Sequence, residues 1–180
     1  MKIVIHEIVR DGLLDDAWKL YQNAFEDLNA RTVQRHLMTR TEFEEVCWDI
    51  RVQKRMAFDD SDQLCGMATY TNVLESMPLI SPAYFQRRWP ELFALSRIWY
   101  CGFVAVAPAA PTAFVDLITG MYRDAEVDGG VIGLDLCRWN DQVRHLSRVI
   151  RLCLLRISDG KVRAEQADEQ MFMIYETSPA

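Results

Sequence analysis

Two apolar runs on either side of a helical segment constrain this chain more than any other feature. Residues 98–107 read Ile-Trp-Tyr-Cys-Gly-Phe-Val-Ala-Val-Ala, with no charged side chain. That is the pattern of a central strand buried on both faces of a sheet. Pro108 and Pro111 end it, since proline has no amide to give a ladder. Thr112 then caps a helix whose inward face is Phe114, Leu117, Ile118 and Met121, closed by Gly129-Gly130. Residues 131–137 read as another buried strand. Strand, helix and strand in succession predict two adjacent parallel strands joined by a right-handed crossover.

The rest of the chain surrounds this unit with shorter elements. Residues 3–9 are rich in β-branched side chains and predict a strand ending at Asp11-Gly12. Leu14, Trp18, Tyr21, Phe25 and Leu28 recur at helical spacing and predict a helix over 14–28. Thr41-Glu42-Phe43-Glu44 has the form of a capping box, so a short helix follows with Phe43, Cys47 and Ile50 inward. Residues 55–59 and 63–72 form a hairpin around Asp60-Ser61-Asp62, and Gly66 marks a bulge or a close backbone approach. Residues 74–95 hold Pro78, Pro82 and Pro90 and predict a loop around a short helix at 84–89. A helix over 141–157 has Val143, Leu146, Ile150, Cys153, Leu154 and Ile157 inward, with Arg144, Arg148, Arg151 and Arg156 on or beside its wet side. A last strand is expected at 170–176. The order implies an α/β fold, a mixed and mostly antiparallel sheet with helices on both faces. Residues 1–177 are expected to form one domain, with 178–180 as a tail.

Charge and cysteine usage exclude some classes of function. Lys plus Arg is 20 and Asp plus Glu is 26, so the chain carries a net −6. This argues against non-specific nucleic-acid or anionic-lipid binding. The five cysteines form no CxxC pair, and the three histidines pair with no cysteine or carboxylate at ligand spacing, so no metal site is expected. No apolar run reaches the ~18 residues of a membrane span. The expected setting is the cytoplasm, with reduced thiols.

Three segments together resemble the GNAT superfamily of acyl-CoA N-acyltransferases. Residues 98–108, ending in Ala105-Val106-Ala107-Pro108, are similar to that family's fourth strand. Residues 129–137 are similar to the link into its fifth strand, and Asn140, Val143 and Leu146 to the Asn-x-x-Ala-x-x-Leu start of its next helix. Residues 70–106, with Pro78, Ser81-Pro82 and Trp99, faintly resemble acyl-homoserine-lactone synthases, a branch of the same fold.

The resemblance implies a sheet whose fourth and fifth strands splay apart. It implies a thioester donor, either acyl-CoA or an acyl-carrier protein, and a small-molecule amine or hydroxyl as acceptor. A homodimer is compatible with it. The donor arm would lie along the exposed amides of Val104 and Val106, the pyrophosphate at Thr112 and Ala113, and Asn140 would face the arm or product. Tyr100 stands where the family often places a carboxylate. Ser147, seven residues after Asn140, stands at the place of the tyrosine that protonates the leaving thiolate. His36, among Arg31, Arg35 and Arg40, falls in the region that gates the acceptor side and has a pKa suited to a base.

The chain departs from the family at the phosphate turn. Ala107-Pro108-Ala109-Ala110-Pro111-Thr112-Ala113 has no glycine and no arginine. The alternative is therefore a GNAT-like fold without ordinary acyl-CoA chemistry, which binds a ligand or runs another reaction in the same cleft. Each candidate also has a plain structural reading. Tyr100 would fill the sheet, Cys101 would be a buried thiol, Asn140 a helix N-cap, Ser147 a small residue at a helix–sheet contact and His36 a solvated loop histidine. Arg87-Arg88-Trp89 is an anion or stacking site, or a wet helix edge.

Overall fold

A computed structural model describes residues 1–127 and 129–177. Its sheet has five strands in chain order: β1 (Lys2–His6), β2 (Gln53–Phe58), β3 (Leu64–Thr71), β4 (Ile98–Val106) and β5 (Val131–Leu134). The first three pairings are antiparallel and β4–β5 is parallel, as the two apolar runs require. The fold is therefore a mixed α/β sheet with a parallel pair at one edge.

One face carries α1 (Asp11–Asn29) and α2 (Arg40–Trp48). Tyr21, Phe43, Met56, Met67 and Phe103 meet there and are almost wholly buried. The other face carries α5 (Thr112–Val127), whose Ala113, Leu117, Ile118 and Met121 pack on Ala57, Ala68, Tyr70 and Cys101. Gly66 serves the close approach: a Cβ there would lie 3.1 Å from that of Ala113 and 3.2 Å from that of Ala57. Two short helices, α3 (Pro82–Arg88) and α4 (Pro90–Ala94), join Ile98 and Tyr100 in a third cluster through Phe85, Trp89, Leu92 and Phe93.

Several expectations are corrected. The capping box begins two residues earlier: Thr39 Oγ1 accepts from the Glu42 amide, and the Glu42 carboxylate accepts from the Thr39 amide. Ile50 then falls beyond α2 and is exposed. Strand β1 stops at His6, and Asp11 is the first residue of α1 rather than a turn. Thr112 is the first helical residue of α5, not a residue before it. The helix expected over 141–157 is two, α6 (Arg138–Gln142) and α7 (Leu146–Ile157), separated by His145 in the left-handed region at φ 53°. Histidine tolerates that region better than most side chains, and hydrophobic periodicity does not register such a break. Val143 is exposed as a result. No strand forms at 170–176: Met171 to Tyr175 are irregular and exposed. The expected tail at 178–180 lies outside the described residues.

Candidate active site at the parallel strand ends

The site grows out of an irregularity in β4. Thr69 pairs with Phe103 and Tyr70 with Cys101, so Gly102 is an extra residue on β4. A bulge of this kind reverses which backbone groups face which neighbour. Phe103 N donates to Thr69 Oγ1 at 3.1 Å and Ala107 N to the Cys65 carbonyl at 2.9 Å, both toward β3. Backbone polar groups alternate along a strand, so those of Val104 and Val106 face the other way. On that side β5 pairs only as far as Cys101–Leu134. The Val104 and Val106 amides thus open into a wedge between the diverging strands.

Tyr100 lies at the head of the wedge. Gly133 on β5 makes room for its ring: a Cβ at that position would stand 2.9 Å from Tyr100 Cδ2. The ring is buried and edge-on to Phe85, and its hydroxyl donates to Asp135 Oδ1 at 2.7 Å. Burial raises the Tyr100 pKa, and the hydrogen bond to Asp135 raises it further, so the phenol keeps its proton at neutral pH. Asp135 itself is exposed, just past the end of β5.

His36 lies within the field of the Asp135 carboxylate. Its amide donates to Asn29 Oδ1 at 3.3 Å and its carbonyl accepts from the Tyr21 hydroxyl at 3.0 Å. Burial lowers its pKa and the Asp135 carboxylate raises it in part, so the imidazole is neutral near pH 7. Nε2 is buried without a partner among the described residues, and so is Asn140 Oδ1 in α6. Arg31 lies over the Trp139 ring at 4.7 Å, drawing the α1–α2 connection against α6. A protonated tyrosine, an exposed carboxylate and a neutral imidazole near one another can accept and hold a proton from an incoming nucleophile.

The other candidates are placed differently. Asn140 is inside α6, whose N-cap is Cys137. Ser147 is exposed on α7, and its hydroxyl donates to Asp141. Cys101 is a buried thiol pushed up to about 12 by burial, far from thiolate reactivity. Arg88 pairs with Glu165 and lies over Trp89. In the turn after β4, the amides of Ala110, Ala113 and Phe114 donate to the carbonyls of Ala107, Ala110 and Pro111. Ala113 is also fully buried, so it faces the sheet. Asp135 is the residue that reading the sequence missed. The strand expected over 131–137 ends at Leu134, so Asp135, read from the sequence as part of it, stands just past the strand's C-terminal end, where open sheets tend to place ligands.

The chain resembles several solved structures over nearly its whole length. A probable acetyltransferase is 15% identical over 99% of this chain and 100% of its own, with a TM-score of 0.57. AAC(6')-Iy, in complex with the bisubstrate analog CoA-S-monomethyl-acetylneamine, is 11% identical over 98% and 100%, with a TM-score of 0.53. An aminoglycoside acetyltransferase from an uncultured soil metagenomic sample, in complex with sisomicin, is 12% identical over 97% and 96%, with a TM-score of 0.51.

The chain has the GNAT fold.

No family model and no curated protein sequence matches it. Identities this low carry the GNAT fold and nothing finer. Among the described residues, no helix is long and apolar enough to cross a membrane.

Proposed function

We propose that this GNAT-fold chain transfers an acyl group from a thioester to an amine on a small molecule. The observation that carries the reading is the Tyr100–Asp135 pair at the head of the β4–β5 wedge. The donor's arm lies along Val104 and Val106, whose amides face the wedge, and the acceptor enters from the side of His36 and Asp135. The amine nitrogen attacks the thioester carbonyl carbon, the carbon–sulfur bond breaks, and Asp135 takes the amine's proton. Tyr100, kept protonated by burial, orients that carboxylate through its hydroxyl. Neutral His36 supplies a second acceptor in the same wall. The departing thiolate takes its proton from water, because Ser147 donates to Asp141.

A second reading rests on the phosphate turn. Pro108 and Pro111 offer no amide, and those of Ala110, Ala113 and Phe114 are spent inside the turn. This supports a fold that has lost acyl-CoA chemistry and uses the wedge for another ligand. Thiol release from a panel of acyl-CoAs and acyl-carrier-protein thioesters, with and without amines, separates the two. Acyl transfer is expected with at least one donor, falling about 100-fold or more in Asp135→Asn with an unchanged melting temperature. No thiol release with any donor in wild type would favour the second reading. Transfer at full rate in Asp135→Asn would remove Asp135 from the chemistry.

A further inference from the structure

Residues 72–97 join β3 to β4 by a path far longer than a hairpin turn needs. The path contains the short helices α3 and α4, each with a proline at its start. Its base is closed by a hydrogen bond from Asn72 Nδ2 to the Ser96 carbonyl at 3.0 Å.

This excursion folds onto the Tyr100 side of the sheet. Met77, Ile80, Phe85 and Trp89 pack against Ile98 and Tyr100. It reaches both strands that border the wedge. On β4, a Cβ at Gly102 would lie 3.3 Å from Met77 Sδ, so the thioether rests on the bulge. On β5, a Cβ at Gly133 would lie 3.5 Å from Phe85 Cε1, two residues before the exposed Asp135. The Phe85 ring is edge-on to Tyr100 at 6.5 Å and is stacked on Trp89 at 6.1 Å.

Met77, Ile80, Phe85 and Trp89 are only partly covered, and Tyr84, edge-on to Phe85, is 39% exposed. Met77, Ile80 and Phe85 bring no charge and no strong hydrogen-bond acceptor. Arg88 is tied to Glu165 and lies over Trp89. Beside this surface stands the Asp135 carboxylate, in no ion pair among the described residues. A carboxylate next to an uncharged, aromatic surface suits a molecule with one ammonium group and an apolar body. A second ammonium would lose its water against Met77 and Phe85 and find no acceptor there.

We infer that residues 77–89 form the specificity wall of the acceptor side, and that the acceptor is a primary amine borne on a ring-sized apolar body, not a polyamine or an amino sugar. The inference rests on the acyl-transfer reading: Asp135 receives the amine, and the body lies against Met77, Ile80 and Phe85.

Calorimetry on the full chain with phenethylamine, ethylamine and spermidine tests the wall without requiring turnover. The expectation is that phenethylamine binds at least about tenfold more tightly than ethylamine, which has the same nitrogen and no ring, and than spermidine. Phe85→Ala should bring that ratio close to one. Phe85→Leu, which keeps an apolar side chain of similar reach, should restore most of it. A merely structural role for Phe85 would weaken all the amines alike and leave the ratio unchanged, which would overturn the inference. Equal binding of ethylamine by wild type, or tighter binding of spermidine, would overturn it too. Acyl transfer to the same amines separates the wall from the reaction beneath it. A ring preference with no transfer from any thioester would remove the reaction and leave the wall. Transfer to all the amines with equal kcat/KM would remove the wall and leave the reaction.

Discussion

Around Tyr21, Phe43 and Phe103 the side chains interlock ring against ring, whereas along α7 only Ile150 is buried. The two regions belong to one chain and differ in what their sequences can bury. The α1–α2 face sets apolar side chains from two helices and three strands against each other. Even its buried cation is satisfied, with Lys54 Nζ donating to the carbonyls of Glu7 at 2.6 Å and Asp49 at 2.7 Å. The end made of β5, α6 and α7 has a four-residue strand, a five-residue helix and a helix with Val149 and Leu152 facing solvent. The first region holds the sheet rigid. The second leaves strand ends, a wedge and an edge free to meet other molecules, and the candidate site lies where the two meet.

The contrast breaks if the aromatic cluster proves dispensable. Phe43→Ala is expected to destabilise the chain by about 3–5 kcal/mol in urea unfolding, by cavity formation in a fully packed site. Leu152→Ala on α7 should stay within about 0.5 kcal/mol of wild type. Equal losses would mean that the C-terminal end is as tightly built as the other.

Ligand binding sharpens the comparison from the open side. Pro111→Gly restores one amide at the start of α5 and leaves the buried Ala113 alone. If acyl-CoA phosphates reach this turn, one recovered hydrogen bond to a charged group should tighten acetyl-CoA by about tenfold in calorimetry. Weak wild-type binding with no gain in the variant would place the defect elsewhere in the wedge. Tight wild-type binding would show that the missing glycines matter little.

The smallest effect belongs to the rigid region's edge. Thr39→Ala removes the α2 cap and should cost about 1 kcal/mol. Its partner Glu42 gives that cap a pH signature. The Arg35 hydrogen bonds, and then those from Thr39, lower the Glu42 pKa from 4.5 to about 2. A depressed carboxylate stabilises the fold fully above its unfolded pKa and loses that contribution as pH falls toward the folded one. The difference in melting temperature between wild type and Glu42→Gln should therefore be largest near neutral pH. It should close between about pH 5 and pH 2, where the carboxylate protonates. A gap independent of pH would mean that the Arg35–Glu42 pair contributes nothing in solution.

Much of the architecture was legible because burial leaves a one-dimensional trace. The run from Ile98, the helix face of Leu117, Ile118 and Met121 and the second run from Val131 predicted the parallel pair, since strands covered on both faces must be apolar throughout. Helix periodicity found α1, and turn chemistry found the β2–β3 hairpin, where Asp59 Oδ1 accepts from the amides of Ser61 and Gln63 at 2.9 Å. The strand expected at 170–176 shows the limit. Its residues have strand propensity, but propensity supplies no partner, and pairing is a relation between distant segments.

The site was less legible for the same reason. Sequence alone determined that Tyr100 sits in an apolar strand, that the turn after it lacks glycine, and that the net charge is negative. Tertiary structure decided the rest. It added a bulge at Gly102 that turns the Val104 and Val106 amides outward, and it set Gly133 against the Tyr100 ring, so that Tyr100 can reach Asp135. It also brought His36 within the field of the Asp135 carboxylate, which is distant in the chain. Periodic burial is written locally, while convergence of polar groups depends on which strands pair, in what register, and where they part.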